Sequence, residues 1–174
     1  MKTLTDHLAQ YAAYHRDPRN ISTHFVGVPM IVLAVATLLS GASFDLGTIS
    51  ISLAMLVTAA TCIFYFRLDF RFGVIMTALL AITLIVANWL ANLSASNWLL
   101  AGIGLFVIGW IIQFVGHYYE GKKPAFVDDL VGLLVGPLLL VAEAAFALNL
   151  RLDVKEAVES RVGKVRQRDS ALSA

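Results

Sequence analysis

The longest uncharged stretch of the chain is FGVIMTALLAITLIVANWLANLSASNWLLAGIGLFVIGWIIQFVG, which runs from Phe72 to Gly116. A membrane-spanning helix needs about 20 consecutive apolar residues, so this stretch is long enough for two of them. The polar segment 92–97 supplies a turn between the two helices, and Trp89 and Trp98 bracket it as interfacial aromatic residues. The stretch therefore predicts a helical hairpin that crosses a membrane twice.

The rest of the sequence also has the composition of a membrane protein. Of the 174 residues, 59% are hydrophobic and 14% are charged, and the mean hydropathy is +0.77. A soluble domain is roughly half apolar and a quarter charged. Windows 25–44 and 46–66 also lack charged residues, so we expect an all-α bundle of four transmembrane helices. The first helix is expected to start at a cap at Asn20 or Ser22 and to end at Ser40. After a loop at 41–47, the second is expected from Thr48 to Phe66. The third is expected from Phe72 to Ala91, and the fourth from Asn97 to Tyr119.

The N-terminal sequence predicts a short amphipathic helix over 5–16. Thr5 or Asp6 can cap this helix, and Asp17-Pro18 ends it. Its apolar stripe follows the i, i+4, i+7, i+11 spacing of one helix face and consists of Leu4, Leu8, Tyr11 and His15. We expect the helix to lie in the membrane surface or to fold over the bundle. His7 falls on another face and is expected to point to solvent.

Basic residues predict the orientation of the helices, because cytoplasmic loops carry an excess of Lys and Arg. The turns at 41–47 and 92–97 contain neither. The other connections contain Lys2, Arg16, Arg19, Arg67, Arg71, Lys122 and Lys123. We therefore expect the N-terminus, the turn at 67–71 and the loop at 120–128 to face the cytoplasm.

The last apolar stretch is Leu130–Leu150, and it contains Pro137 and Glu143. A fifth crossing would leave the basic tail outside, against the same rule. A helix broken at Pro137 can enter the membrane and return where protein surrounds it. We therefore expect a re-entrant or partially inserted helical hairpin, with a fifth span as the alternative. The expected parts of a single domain 1–174 are an interfacial helix at 1–21, a membrane bundle at 22–150 and a basic, helical cytoplasmic tail at 151–174.

Three histidines are expected to meet at the cytoplasmic interface. His15 and His24 flank the start of the first membrane helix, and His117 ends the fourth, about 20 residues and roughly 30 Å of helix from the opposite turn. Imidazole is the commonest metal ligand near neutral pH, and a three-histidine set with open positions suits Zn or Fe(II). The neighbouring polar groups that can fix the ring tautomers are Asn20, Gln113 and Glu120. Interfacial polar residues without a metal are the alternative.

Other functions have weaker support. The serines lack a nucleophile elbow, and the acidic residues in the tail argue against nucleic-acid binding. Cys62 lies in an apolar run as a small hydrophobic residue, and Asp128-Asp129 is either a cation site or a helix-dipole complement. A small transporter or a structural membrane protein remains an alternative. A transport path would have to use the few polar groups of helices two and three, mainly Thr58, Thr61, Thr77, Thr83 and Asn88.

Two motifs resemble a known family. The first comprises Tyr14-His15, Asp17-Pro18-Arg19-Asn20, His24 and Val28-Pro29, and the second extends from Gly109 through His117 and Glu120 to Asp129-Leu130. Over most of the chain, the sequence resembles the membrane-embedded, Fe(II)-dependent 2-hydroxy fatty acid dioxygenases that act in the α-oxidation of phytosphingosine-derived acids. It looks like a bacterial member of that family.

The resemblance implies a site and a reaction. The implied Fe(II) ligands are His15, His24 and His117. The candidate catalytic residues at family positions are Asn20, Gln113 and Glu120. The cations that can attract a substrate carboxylate are Arg16, Arg19 and Lys123. The expected substrates are O2 and a long-chain 2-hydroxy fatty acid, which is converted to CO2 and the acid one carbon shorter. We expect an integral protein of the bacterial inner membrane, or of the endoplasmic reticulum in a eukaryote, with its active site at the cytoplasmic face. The sequence predicts no oligomeric state.

Overall fold

A computed structural model describes residues 2–47, 49–124 and 131–166, and over these residues the protein is helical apart from one short hairpin. The elements in chain order are α1 (Leu4–Ala12), α2 (Pro18–Ser40), β1 (Ser43–Leu46), β2 (Ile49–Ser52), α3 (Leu53–Leu68), α4 (Phe70–Ala91), α5 (Ala95–Glu120), α6 (Gly132–Ala147) and α7 (Leu152–Val162). The described residues pack as two compact units, those within 1–25 and 112–174 and those within 26–111. The expected division of a single domain at 21 and 150 stays a prediction.

Three helices of the described chain, α2, α4 and α5, are long and apolar enough to cross a membrane. The bent pair α6 and α7 is long and apolar enough to cross a membrane only when its two helices are counted as one span. Helix α3 is apolar but has 16 residues, which is about 24 Å of helix and less than the roughly 30 Å of a bilayer core. The expected all-α, multi-pass membrane bundle is confirmed, and the four expected spans fit this set approximately.

The connection after α2 differs from the expected loop at 41–47 and the helix start at Thr48. Strands β1 and β2 pair antiparallel from Ser43↔Ser52 to Leu46↔Ile49, and α3 begins only at Leu53. The cause is visible in the alternating sequence SFDL and ISIS, because apolar and polar residues alternate with the period of a strand. Gly47 adopts a φ of 67° in the turn. Ser52 then caps α3 by accepting a hydrogen bond from the main-chain N–H of Met55 at 3.3 Å.

The N-terminal helix is shorter than expected and has a different cap. Thr3, rather than Thr5 or Asp6, caps α1, and Asp6 completes a capping box by accepting from the Thr3 main-chain N–H at 2.7 Å. The helix ends at Ala12, so His15 lies in the turn that follows it. Helix α2 starts at Pro18 rather than after a cap at Asn20 or Ser22. Proline is favoured at a first helical position because its missing N–H would have no intrahelical partner there.

The C-terminal helices are broken, but at a different place from the one expected. Helix α6 continues through Pro137 and ends at Ala147, and α7 leaves at an angle of 114°. The break coincides with Asn149 and Arg151, whose φ angles of 57° and 55° belong to the left-handed region. Both helices pack against α1. Helix α7 forms the first part of the expected helical tail, and residues 167–174 of that tail lie outside the described residues. Whether the pair crosses the membrane or re-enters stays a prediction, and Leu130 and Asp128-Asp129 lie outside the described residues.

In residues 26–111, α2 and α5 approach closely at glycines. A Cβ atom added to Gly109 would lie 2.7 Å from the Cγ1 atom of Ile31, and one added to Gly102 would lie 2.5 Å from a methyl carbon of Leu38. The indole N–H of Trp98 donates to the main-chain oxygen of Thr37 at 2.8 Å. In the same unit, α3 packs against α4.

Candidate metal centre

Three histidines from three different segments converge in the first unit. His15 comes from the turn before α2, His24 from the second turn of α2, and His117 from the last turn of α5. One ring nitrogen from each lies within 4.8 Å of the other two, and all three side chains are buried. The ring centroids are 4.4–5.0 Å apart. The structure thus brings together the three residues expected from the sequence, while His7 lies on α1 outside this group.

The hydrogen bonds of two of these rings fix their tautomers. The Nδ1 atom of His15 lies 2.8 Å from the main-chain oxygen of Tyr11, and the Nδ1 atom of His24 lies 2.8 Å from that of Asn20. A carbonyl oxygen only accepts hydrogen bonds, so both Nδ1 atoms carry the proton and donate. In a neutral ring the Nε2 atom then has a free lone pair. A histidine that binds a metal through one ring nitrogen usually donates from the other nitrogen to an acceptor of this kind.

The two free lone pairs face each other. The Nε2 atoms of His15 and His24 are 3.0 Å apart in a buried setting, and no hydrogen is available to lie between two neutral rings of these tautomers. A bridging proton would need a charged ring, yet burial and the neighbouring His24 lower the pKa of His15. The Nδ1 atom of His117 is also buried and has no hydrogen-bond partner among the described residues. The donor set therefore fits a bound metal cation.

Glu120 ties the end of α5 to the turn that contains His15. Its Oε2 atom accepts the main-chain N–H groups of Arg16 at 2.9 Å and Asp17 at 2.7 Å. It also accepts the Asn20 side-chain amide at 3.2 Å. Because Glu120 follows His117 by one helical turn, these bonds fix the turn before α2 relative to α5. The carboxylate is buried, and its Oε1 atom lies 3.7 Å from the Arg166 guanidinium.

Asn20 is fully buried and forms hydrogen bonds with the segments that carry two of the histidines. Its main-chain oxygen fixes the tautomer of His24. Its side-chain amide donates to the Tyr14 main-chain oxygen at 3.1 Å as well as to Glu120. The sequence placed Asn20 near the histidines, and the structure shows it joining the turn, α2 and α5.

Tyr11 is a neighbour of the centre whose role the sequence did not indicate. Its ring stacks on the His15 ring with 4.3 Å between the centroids and 4° between the planes. The same residue supplies the carbonyl that holds the His15 tautomer, so it fixes both the plane and the protonation of that ring. A Cβ atom on Gly136 would lie 2.8 Å from the Tyr11 hydroxyl oxygen. The i, i+4 spacing of Tyr11 and His15 was the available sequence signal.

Arg16 is occupied by internal contacts rather than open to a substrate carboxylate. Its Nε–H donates to the main-chain oxygens of Ala12 and His15, both at 2.9 Å. One terminal nitrogen donates to the main-chain oxygen of Gly163 at 3.0 Å, and the other lies 3.4 Å from Glu143. This ion pair explains the single carboxylate in the apolar helix α6.

Arg19 also has protein partners. It pairs with Asp17 at 2.8 Å, and its guanidinium carbon lies 4.4 Å from the centroid of the Tyr119 ring. The bond from Arg19 lowers the pKa of Asp17, which stays charged.

Gln113 lies one turn before His117 on the same buried face of α5. Its side chain is 3% exposed, and its Oε1 atom has no hydrogen-bond partner among the described residues. Gly116, His117 and Glu120 continue this buried face toward the helix end, whereas Tyr118 is exposed. The three candidate catalytic residues thus occur beside the histidines, and their roles stay predictions.

The protein has helices that can cross a bilayer, and it has a buried group of three histidines. It is therefore a multi-pass membrane protein with a candidate metal centre. Residues 1–148 match the family described as 2-hydroxy-palmitic acid dioxygenase Mpo1-like. The chain belongs to this family. It is also 31% identical over 169 residues to the 2-hydroxy-palmitic acid dioxygenase MPO1 of Saccharomyces cerevisiae, covering 95% of this chain and 92% of the yeast protein. No solved structure matches the chain.

Proposed function

We propose that this protein is an Fe(II)-dependent dioxygenase that uses O2 to cleave the C1–C2 bond of long-chain 2-hydroxy fatty acids and forms CO2, water and the acid one carbon shorter. Similarity to a 2-hydroxy-palmitic acid dioxygenase over nearly the whole chain supports a fatty acid dioxygenase role. The observation that carries the metal assignment is the pair of unprotonated Nε2 atoms of His15 and His24, 3.0 Å apart. Membrane-spanning helices fit a lipid substrate and a bilayer location.

In this proposal the ligands of Fe(II) are His15, His24 and His117. When bound, Fe(II) activates O2 and orients the substrate carboxylate and 2-hydroxyl for oxidative cleavage. Neutral imidazole ligands leave the net charge of the site positive, which favours an anionic acid. The main-chain oxygens of Tyr11 and Asn20 keep the ring protons on the atoms that face away from the centre.

Asn20 and Glu120 act as positioning residues in this scheme, because their side-chain hydrogen bonds are with main-chain groups and with each other. They hold the turn with His15 against the helix end with His117. The ion pair between Arg16 and Glu143 also joins the turn before α2 to α6.

The acyl tail is proposed to lie among the apolar residues of the membrane helices while its head group reaches the histidines. Each buried methylene contributes about 0.8 kcal/mol, so the affinity for the acid should rise with chain length until the tail exceeds the available apolar surface. The active site is proposed to lie at the cytoplasmic face, from the distribution of basic residues alone.

The direct test is mass spectrometry of the products. Purified protein with Fe(II) and O2 should convert 2-hydroxy acids of several chain lengths to the acids one carbon shorter, and a chelator should stop the conversion. A non-hydroxylated acid of equal length should not react, because it lacks one arm of the chelate. Iron near one atom per chain would separate this enzyme from a transporter or a structural protein. Absence of O2-dependent shortening in iron-loaded protein, across the series, would refute the proposed reaction.

A further inference from the structure

The Oε1 atom of Gln113 is a buried acceptor with no partner among the described residues. Buried polar atoms in native proteins are nearly always hydrogen-bonded, so such an atom beside a candidate site points to a missing donor. The other unpartnered atoms near the histidines have separate explanations. The Nδ1 atom of His117 fits the metal, and Glu120 Oε1 has the Arg166 guanidinium at 3.7 Å. Asn20 Oδ1 has no partner in the described part of the chain either, but it lies against Gly116, where an added Cβ atom would stand only 2.5 Å away, so no ligand atom fits between them.

The position of Gln113 along α5 indicates what kind of donor could reach it. Glu120 follows His117 by one turn toward the helix end, and there it binds the turn at Arg16 and Asp17. Gln113 precedes His117 by four residues, or about 6 Å of helix, in the opposite direction. One side of His117 is therefore filled by protein, and the open acceptor lies on the side that leads into the apolar span.

We propose that the Gln113 carboxamide accepts a hydrogen bond from the 2-hydroxyl group of the bound acid and thereby selects 2-hydroxy acids over 2-oxo acids. This inference rests on the proposed function. The hydroxyl oxygen can bind the metal through a lone pair and still donate its hydrogen to Gln113. A 2-oxo acid keeps the same two metal-binding oxygens but has no hydrogen to donate. Its carbonyl oxygen would face the buried Oε1 atom, and only a turned carboxamide, with Nε2 in the place of Oε1, could donate to it.

Comparing the binding of 2-hydroxy and 2-oxo acids distinguishes the contribution of Gln113 from that of the metal, because both acids can chelate the metal. Protein loaded with redox-inert Zn(II) would be titrated with 2-hydroxypalmitate, 2-oxopalmitate and palmitate, and binding would be measured by calorimetry. We expect the wild-type protein to bind the 2-hydroxy acid about tenfold more tightly than the 2-oxo acid, the factor that one hydrogen bond supplies.

In Gln113→Leu this preference should disappear, mainly through weaker binding of the 2-hydroxy acid, while the zinc content stays unchanged. Gln113→Met, which is unbranched and of similar length, provides a second variant. Gln10→Leu is the matched control, because Gln10 is an exposed residue of α1. It should keep the wild-type ratio.

An unchanged ratio in both Gln113 variants would overturn the inference and leave the proposed function standing. Failure of the zinc-loaded wild-type protein to bind any 2-hydroxy acid would also overturn the inference, whereas the proposed function fails only if the iron-loaded protein shows no O2-dependent shortening.

Discussion

Gly116 of α5 lies directly against Asn20 of α2, so that a Cβ atom added to Gly116 would stand 2.5 Å from the Asn20 Oδ1 atom and 3.3 Å from its Cα atom. The Thr23 hydroxyl is closer still. Only a residue without a side chain allows these helices to approach at this level. His117 follows Gly116 directly, and His24 follows Asn20 by one turn, so the glycine sets the separation of two of the three histidines.

Gly116→Ala should therefore separate the helices and weaken metal binding. Overpacking of a closely packed contact costs about 1–3 kcal/mol, which should lower the thermal unfolding midpoint as well as the metal content. Gly104→Ala on the same helix is the control, because a Cβ atom there would have no neighbour within 4 Å. Alanine has the higher helix propensity, so Gly104→Ala should be neutral or stabilising. Equal behaviour of the two variants would contradict the packing argument.

Replacing any one of His15, His24 and His117 with alanine should remove most of the bound metal. Loss of a residue that only supports a ligand already costs about 10–100-fold in metal affinity, and loss of a ligand should cost at least as much. Metal content of the purified variants, measured by inductively coupled plasma mass spectrometry, checks this prediction. His7→Ala should retain the wild-type content, because His7 lies outside the group. Full occupancy in one of the three variants would exclude that histidine as a ligand.

Glu120→Gln should weaken metal binding less than loss of a histidine. The glutamine amide keeps an oxygen that can accept the N–H groups of Arg16 and Asp17, whereas Glu120→Ala removes it. We expect affinity losses of about tenfold for Glu120→Gln and about 100-fold for Glu120→Ala. Titration with Co(II), followed by its visible spectrum, measures both the affinity and the ligand geometry. A Glu120→Gln protein as depleted as His117→Ala, with an altered spectrum, would instead make Glu120 a ligand.

The sequence predicted the meeting of the histidines because hydropathy and charge place chain segments at a common depth. The lengths of the apolar runs and the positions of Lys and Arg are sufficient for this prediction. The contacts that orient the rings were not accessible in the same way. Main-chain oxygens of Tyr11 and Asn20, and main-chain N–H groups of Arg16 and Asp17, leave no mark on residue identity.

Two parts of the fold differ from expectation for local reasons. The second helix was expected to begin at Thr48, although Ile49–Ser52 alternates with the period of a strand and pairs with Ser43–Leu46. The break in the C-terminal helices was expected at Pro137, which α6 tolerates in its second turn. The bend instead depends on the left-handed conformations of Asn149 and Arg151. An arginine rarely adopts this conformation, so residue propensities do not predict it.

The orientation of the chain can be tested by cysteine labelling in cells. In a Cys62→Ala background, Ser96→Cys should react with a membrane-impermeant maleimide from outside, and Ser160→Cys only after permeabilisation. Both serines are exposed in the structure, so burial would not prevent labelling. The expectation follows from the basic residues before α2, between α3 and α4 and after α5. Labelling of both sites from the same side would contradict it.

The salt bridge between Asp6 and Arg161 predicts a pH-dependent contact between α1 and α7. Their side chains are 2.6 Å apart, and the hydrogen bond from Arg161 is the main reason why the pKa of Asp6 is lowered. An acid with a depressed pKa stabilises the folded state above its unfolded pKa of about 3.9, and this contribution is lost as the pH falls below that value. Arg161→Gln should therefore have a lower thermal unfolding midpoint than wild type at pH 6, and the difference should shrink as the pH is lowered from 5 to 3 (about the range in which the unfolded Asp titrates). Lys164→Gln makes the same change of charge at an exposed site and should show no such convergence. A wild-type advantage over Arg161→Gln that is constant with pH would show that the ion pair does not stabilise the packing of α7 on α1.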